Sequence, residues 1–130
     1  MNIRTAQPDD AVTTLWPEFT DHQMNLDQVF VAVDDDGTLL GGTVMFHGGH
    51  SVAYSGSTRI VESEQKGLVA YHLFTFLQAW CRAHGITLLG HGARDGACQK
   101  TLTTLGATVR CQYLLMELMI PCERKGVAHG

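Results

Sequence analysis

The sequence has few charged residues and no excess of basic ones. Both features limit the classes of function that the protein can have. Only 17% of its 130 residues are charged, and nine Lys and Arg against thirteen Asp and Glu give a net charge of −4. A chain without a basic face is not expected to bind nucleic acid, because phosphates need cations to neutralise them. The charged fraction is below the roughly 25% of an ordinary domain. Part of this sparsely charged surface is therefore available to be covered by a partner, in a homo-oligomer or a protein assembly.

The sequence also has no clustered cysteines and no long apolar run. Its cysteines are spaced 11 or more positions apart, which predicts neither a Cys-x-x-Cys pair nor a zinc site: Cys81, Cys98, Cys111 and Cys122. A chain of this length can bury a core without disulfides, which favours reduced thiols and a cytoplasmic location. The first residues have no apolar core typical of a secretory signal, and no run reaches the roughly 18 residues that span a bilayer. We expect a soluble protein with no membrane partner.

No metal site is predicted. His47 and His50 flank two glycines at a loop tip, but no third ligand is evident in the sequence. The three aspartates at 34–36 have neither the longer ligand spacing nor the terminal glutamate of a calcium loop. Both features are interpreted as solvated turns.

The first half of the chain predicts strands interrupted by short helical segments. Residues 3–5 favour a strand, and Val12, Leu15 and Trp16 have the i, i+3, i+4 spacing of a helix that stops near Pro17. A second short helix is expected within 17–27. The β-prone runs at 28–33 and 38–49 are joined by a turn in which Gly37 can take a positive φ, and 50–61 is the next strand.

After Glu62, in the second half of the chain, the spacing of the apolar residues changes from that of strands to that of a helix. The stretch 66–85 predicts a long helix of about eighteen residues that is apolar around most of its circumference, with Gly85 as its C-terminal cap. A short strand follows, on which Leu89 and His91 share one face. A helix begins with Asp95 as its N-cap and ends at Gly106, and a closing strand is expected over 108–120.

The resulting order, β-α-(α)-β-β-β-α-β-α-β, predicts an α/β (α+β) fold with a mixed, mostly antiparallel sheet flanked by helices. With the segments "IRTAQPDD", "FVAVDDDGTLLGG" and "DGACQKTLTTLGA", this order resembles the GNAT superfamily of acetyl-CoA-dependent N-acyltransferases. One domain is expected at this length. We assign it to 1–120, followed by a loose tail at 121–130.

The resemblance implies that acetyl-CoA binds where the fourth strand turns into the long helix, within "SEQKGLVAYHLF". A helix start offers backbone N–H groups and a positive dipole end to a pyrophosphate. Glu64 stands where the family has Gln or Arg, and Val69 where it has a small residue. The cofactor-binding residues implied by the resemblance are Ile60, Val61, Gln65, Lys66, Gly67, Leu68, Val69 and Ala70.

Three residues are candidates for proton transfer. Glu62 and His91 lie where the family places a general base, and a histidine with its pKa near neutrality could accept an amine proton. Tyr113 is a candidate proton donor, because Leu102 occupies the position of the usual family tyrosine and Ala107 that of the usual Phe. The resemblance also implies that a backbone N–H of the fourth strand holds the thioester oxygen.

Each of these residues also has a structural interpretation. Gly67 and Lys66 could simply start a helix, Glu62 and Glu64 could complement its dipole, and His91 and Tyr113 could be ordinary strand residues.

Two functions follow from these interpretations. The first is transfer of an acetyl group to a small-molecule amine or a protein lysine. The alternative is a non-catalytic GNAT-like binding or structural protein, similar to degenerate GNAT-like proteins of short-tailed phages, some of which are located in the virion. Glu64, Val69 and Leu102 favour the alternative.

Overall fold

The computed structural model describes residues 1–19, 25–47, 51–92 and 96–108. Within these residues, five strands form one sheet and two α-helices flank it. The strands are β1 (Asn2–Thr5), β2 (Val29–Val33), β3 (Leu39–His47), β4 (Val52–Ile60) and β5 (Leu88–His91), and the helices are α1 (Lys66–Ala83) and α2 (Gly96–Thr104). The strands follow the order β1-β2-β3-β4-β5, antiparallel except for the parallel pair β4 and β5. The predicted mixed, mostly antiparallel sheet is confirmed.

The hairpin of β2 and β3 is confirmed with its turn. Gly37 has a φ of 86°, a conformation that costs a glycine little because it has no Cβ. Its N–H donates to the carbonyl of Asp34 at 3.0 Å, and the Asp34 N–H donates to the carbonyl of Thr38 at 2.9 Å. The short turn directs β3 back alongside β2.

Each face of the sheet has its own apolar core. On one face, Phe30, Met45 and Ala53 of the strands pack with apolar residues of both helices: Ala70, Phe74, Leu77, Cys81, Cys98 and Leu102. On the other face, Val29, Val31 and Val33 of β2 pack with residues from the segment after β1: Ala6, Val12, Leu15 and Trp16. Strand alternation separates the two sets, and each fully buried large side chain contributes about 1.5–3 kcal/mol.

The segment after β1 differs from the prediction. Two α-helices were expected there, but the described residues form 3₁₀ turns at Val12–Thr14, Pro17–Phe19 and Leu26–Gln28. The predicted apolar side chains, such as Trp16, are nevertheless buried. Pro17 explains the short first turn, since proline lacks an N–H and its ring clashes with a preceding helical turn. The prediction of an α-helix around Val12–Trp16 was therefore wrong, while its predicted buried face was right, and the second helix expected within 17–27 lies partly outside the described residues.

The ends of both helices carry the glycines that the sequence predicts. Gly85 has a φ of 71° and Gly106 a φ of 97°, as expected just past a helix C-terminus. Cys81 and Cys98 are both buried. Neither described helix is long and apolar enough to cross a membrane. The Asp95 cap, the strand at 108–120 and the tail lie beyond the described residues in whole or in large part, so the domain boundary at 120 stays a prediction.

Candidate functional site

The strands β4 and β5 pair over a short stretch and then separate. Their parallel register runs from Val52 opposite Leu88 to Ser55 opposite His91, and the N–H of Gly92 donates to the carbonyl of Ser55 at 3.3 Å. β4 continues to Ile60 along β3. Among the described residues, no strand pairs with the other edge of 56–60, although Thr43 and Trp16 donate side-chain hydrogen bonds to the carbonyls of Gly56 and Ser57. We call the space between this edge, the end of β5 and the start of α1 the β4–β5 cleft.

A bulge in β4 lies directly beyond the last paired residues. The register between β3 and β4 shifts at Thr43, which faces two residues, Ser57 and Thr58. Ser57 has a φ of 51°, an uncommon value for a residue other than glycine. The Thr43 hydroxyl lies 2.8 Å from that of Thr58, and Trp16 Nε1 donates to the Ser57 carbonyl at 2.8 Å. The side chains of Thr43 and Trp16 therefore stabilise the bulge, which forms part of the β4 edge of the cleft.

His91 lies at the inner end of the cleft. Its Nδ1 is 2.7 Å from the hydroxyl oxygen of Ser55, and the edge of its ring meets Phe74 of α1 at a centroid distance of 5.0 Å. Burial lowers the pKa of His91 to about 4, because a charged ring would lose hydration there. The expected pKa near neutrality was therefore wrong, and the ring is neutral at pH 7.

The start of α1 presents backbone donors next to open space. Lys66 N–H donates to the carbonyl of Ser63 at 3.2 Å, whereas the N–H groups of Gly67 and Leu68 have no acceptor among the described residues. A Cβ on Gly67 would meet no atom within 4 Å. Internal packing thus gives no reason for a glycine at this position, and the helix dipole makes it attractive to an anion.

Two acidic residues accompany this helix start. The carboxylate of Glu62 accepts a hydrogen bond from Lys66 Nζ at 3.0 Å, with side-chain exposures of 84% and 18%. Glu64 is exposed. The structure therefore places Glu62 in an ion pair with a predicted cofactor-binding residue, next to the helix start.

The other predicted cofactor-binding residues divide into buried and exposed groups. Val69 is 2% exposed, so its side chain lies in the interior and does not block the helix start. Ala70 is buried and Ile60 half-buried against the core, whereas Val61, Gln65 and Leu68 are exposed. Tyr113 lies outside the described residues. No group of three or more His, Cys, Asp or Glu side chains within the described ranges is arranged to hold a metal ion.

The sequence analysis missed Ser55 and the residues of the bulge. Ser55 is 2% exposed and Thr43 fully buried, yet neither belongs to a recognisable motif. Their significance depends on strand register, which brings together residues far apart in the chain. Thr43 is a polar residue in a mainly apolar stretch of β3, but Ser55 lies in a strand with several polar residues, and nothing in the sequence distinguishes it from them.

Solved structures share this architecture. A probable acetyltransferase matches with a TM-score of 0.68 and 18% identity, over 95% of this chain and 100% of its own. An aminoglycoside N-acetyltransferase, AAC(6')-Iy, solved in complex with CoA, matches with a TM-score of 0.66 and 20% identity, over 92% and 100%. The chain has the GNAT fold. A ribosomal-protein-alanine N-acetyltransferase from Brucella melitensis biovar Abortus 2308 matches with a TM-score of 0.66 and 13% identity, over 91% and 100%.

The GNAT fold confirms the predicted resemblance at the level of architecture. No protein-family model and no curated protein matches the sequence. At these identities the solved structures establish the fold and leave the activity of this chain to its own residues. The resemblance to phage proteins and a virion location stay predictions.

Proposed function

We propose that this protein is an N-acyltransferase that moves the acetyl group of acetyl-CoA to an amine. The observation that carries the proposal is the β4–β5 cleft, which joins a neutral histidine, the start of α1 and a strand edge that has no strand partner among the described residues. The GNAT fold supports it, since one matching structure is an acetyltransferase in complex with CoA. The acceptor is either a small-molecule amine or a protein lysine.

The residues at the start of α1 fit a pyrophosphate. The N–H groups of Gly67 and Leu68 can donate to its oxygens, and Lys66 adds a positive charge. The absence of a side chain at Gly67 leaves room for close approach. Glu62 and Glu64 oppose an anion, so we expect weaker binding than the donors alone would give.

The chemistry divides between the donor and the protein. Acetyl-CoA supplies an activated thioester. The open edge of β4 offers backbone N–H groups that can stabilise negative charge on the carbonyl oxygen. His91, neutral and at the end of β5, can take a proton from the acceptor nitrogen. Glu62, already paired with Lys66, is the weaker candidate for that role, and Tyr113 remains a predicted proton donor.

Calorimetry with CoA and acetyl-CoA tests the cofactor site. Lys66→Glu should weaken binding about tenfold or more, because it replaces an attraction to phosphate with a repulsion. Arg82→Glu makes the same charge change in the last turn of α1, and it should leave the affinity within about twofold. Equal effects of the two substitutions would place the cofactor elsewhere.

Binding and turnover by the unmodified protein test the function itself. Absence of binding up to about millimolar CoA would overturn the acetyltransferase proposal. Release of free thiol should require an acceptor, supplied either as small amines or as lysine-containing peptides. The acceptor class that stimulates thiol release identifies the substrate class. The same assay measures the rates of the Ser55 variants.

A further inference from the structure

Ser55 lies where β4 and β5 separate, and its side chain forms a hydrogen bond with His91. The two residues form the last pair of the parallel register, and Ser55 Oγ lies 2.7 Å from His91 Nδ1. Ser55 is 2% exposed, so water has little access to its hydroxyl. The pairing of two regular strands fixes this contact, which makes its geometry more rigid than that of a contact between loops.

The second ring nitrogen of His91 remains available. Among the described residues, no group forms a hydrogen bond with Nε2, and no buried side-chain nitrogen or oxygen lacks a partner. Nε2 must therefore reach solvent. Phe74 covers the ring from the α1 side, and neither Phe74 nor Ser55 carries a charge that would favour a protonated ring.

We propose that Ser55 is a positioning residue for His91: its hydroxyl oxygen accepts a hydrogen bond from Nδ1–H, which keeps the ring proton on Nδ1 and leaves Nε2 as the proton acceptor in the cleft. A neutral imidazole has one N–H and one lone pair, so the bond at one nitrogen decides what the other can do. The inference rests on the proposed acyl transfer and names a residue that governs its proton step.

The proton step balances with this arrangement. The acceptor nitrogen forms a bond to the acetyl carbon, and the carbon–sulfur bond breaks with its electron pair on sulfur. The nitrogen loses one proton to His91 Nε2, which then passes it to solvent, and the released thiolate gains a proton from solvent. Burial makes the His91 imidazole a weaker base than an ordinary histidine, and this is partly offset because a nitrogen bonded to the acyl carbon gives up its proton far more readily than a free ammonium ion.

The opposite arrangement makes a different prediction. If the Ser55 hydroxyl donates to Nδ1, the ring proton lies on Nε2, and Nε2 can no longer accept a proton from an amine. The two arrangements share the same heavy-atom distance, so they must be separated by a measurement that detects the proton.

Nitrogen NMR of the ligand-free protein, labelled with ¹⁵N-histidine, makes that measurement at pH 7. We expect His91 to show a protonated Nδ1 and an unprotonated Nε2, with its signals assigned by their loss in His91→Asn. Ser55→Ala should abolish this single tautomer, whereas Ser55→Thr, which keeps a hydroxyl, should preserve it. A protonated Nε2 in the unmodified protein would overturn the inference.

Kinetics complete the test with the same variants. Ser55→Ala should lower kcat about tenfold while the KM for acetyl-CoA stays within about twofold, because binding does not involve the hydroxyl. Ser55→Thr should restore most of the rate, and Ser51→Ala, just before β4, is the matched control. Thermal melting of each variant shows whether a loss of rate reflects unfolding.

The outcomes separate this inference from the proposed function. A protein that transfers acetyl groups but keeps its rate in Ser55→Ala retains the function and contradicts the role of Ser55. A protein that binds neither CoA nor acetyl-CoA contradicts both. Loss of rate in Ser55→Ala with an unchanged His91 tautomer also contradicts the positioning role.

Discussion

Trp16 links the segment after β1 to the bulge of β4, and it fits because residue 42 is glycine. Its Nε1 donates to the Ser57 carbonyl at 2.8 Å, and its side chain is fully buried. A Cβ on Gly42 would lie 2.9 Å from the Trp16 ring and 2.8 Å from the Phe30 carbonyl oxygen. The second of these neighbours is backbone of an adjacent strand, which cannot move away cheaply.

Gly42→Ala is therefore expected to destabilise the protein by about 1–3 kcal/mol, as overpacking in a filled core does. Gly56→Ala is the matched control in the neighbouring strand, since its Cβ would meet only Phe46 at 3.7 Å. Urea unfolding of both variants measures the free energies. Equal losses of unfolding free energy in the two variants would show that the Trp16 ring and the Phe30 carbonyl can move to accommodate the added methyl group.

At the scale of elements, the bulge in β4 depends on a buried hydroxyl. Thr43 Oγ1 bonds to the Gly56 carbonyl at 3.2 Å and lies 2.8 Å from Thr58 Oγ1, with Thr43 completely buried. The bulge directs the second half of β4 along the cleft. A hydroxyl that bridges both sides of the bulge keeps the extra residue from slipping back into regular register.

Thr43→Val keeps the shape of the side chain and removes both bonds. We expect a loss of about 1–2 kcal/mol, because the partners in β4 are left without the hydroxyl. Thr13→Val makes the same change at an exposed position and should alter the unfolding free energy by less than about 0.5 kcal/mol. Chemical denaturation measures both, and a neutral Thr43→Val would show that the backbone alone holds the bulge.

For the whole molecule, the buried His91 couples folding to pH. The pKa of His91 is about 4 in the folded protein against an ordinary 6.5, so the unfolded chain takes up the proton first as the pH falls. Stability should decrease between pH 6.5 and about 4 by about 2 kcal/mol, a figure reduced for partial exposure of the ring. The Arg4–Asp10 pair adds a loss at lower pH, because its hydrogen bonds hold the pKa of Asp10 below its usual range.

His91→Asn separates the two contributions. The variant should lose most of the pH dependence between 6.5 and 4 and keep the part due to Asp10. Urea unfolding at several pH values provides the comparison. An unchanged slope in the variant would mean that the His91 ring titrates normally in the folded protein.

The sequence by itself determined the local elements of this protein. Gly37, Gly85 and Gly106 ended their elements where expected, because positive φ values are a local property of the chain. A run of β-prone residues identified β2, and the change to a helical period identified α1. The spacing of Val12, Leu15 and Trp16 predicted burial correctly but not the helix type, since Pro17 follows immediately.

Only the tertiary structure decided how those elements form a site. The Ser55–His91 contact joins residues 36 positions apart, and it depends on the parallel register of β4 and β5. The pKa of His91 is set by burial, which no sequence pattern specifies. The interior position of Val69 likewise depends on how α1 lies against the sheet. Within the described part of the chain, such non-local packing places a serine, a histidine and a strand edge without a strand partner at one cleft, and the proposed chemistry follows from that placement.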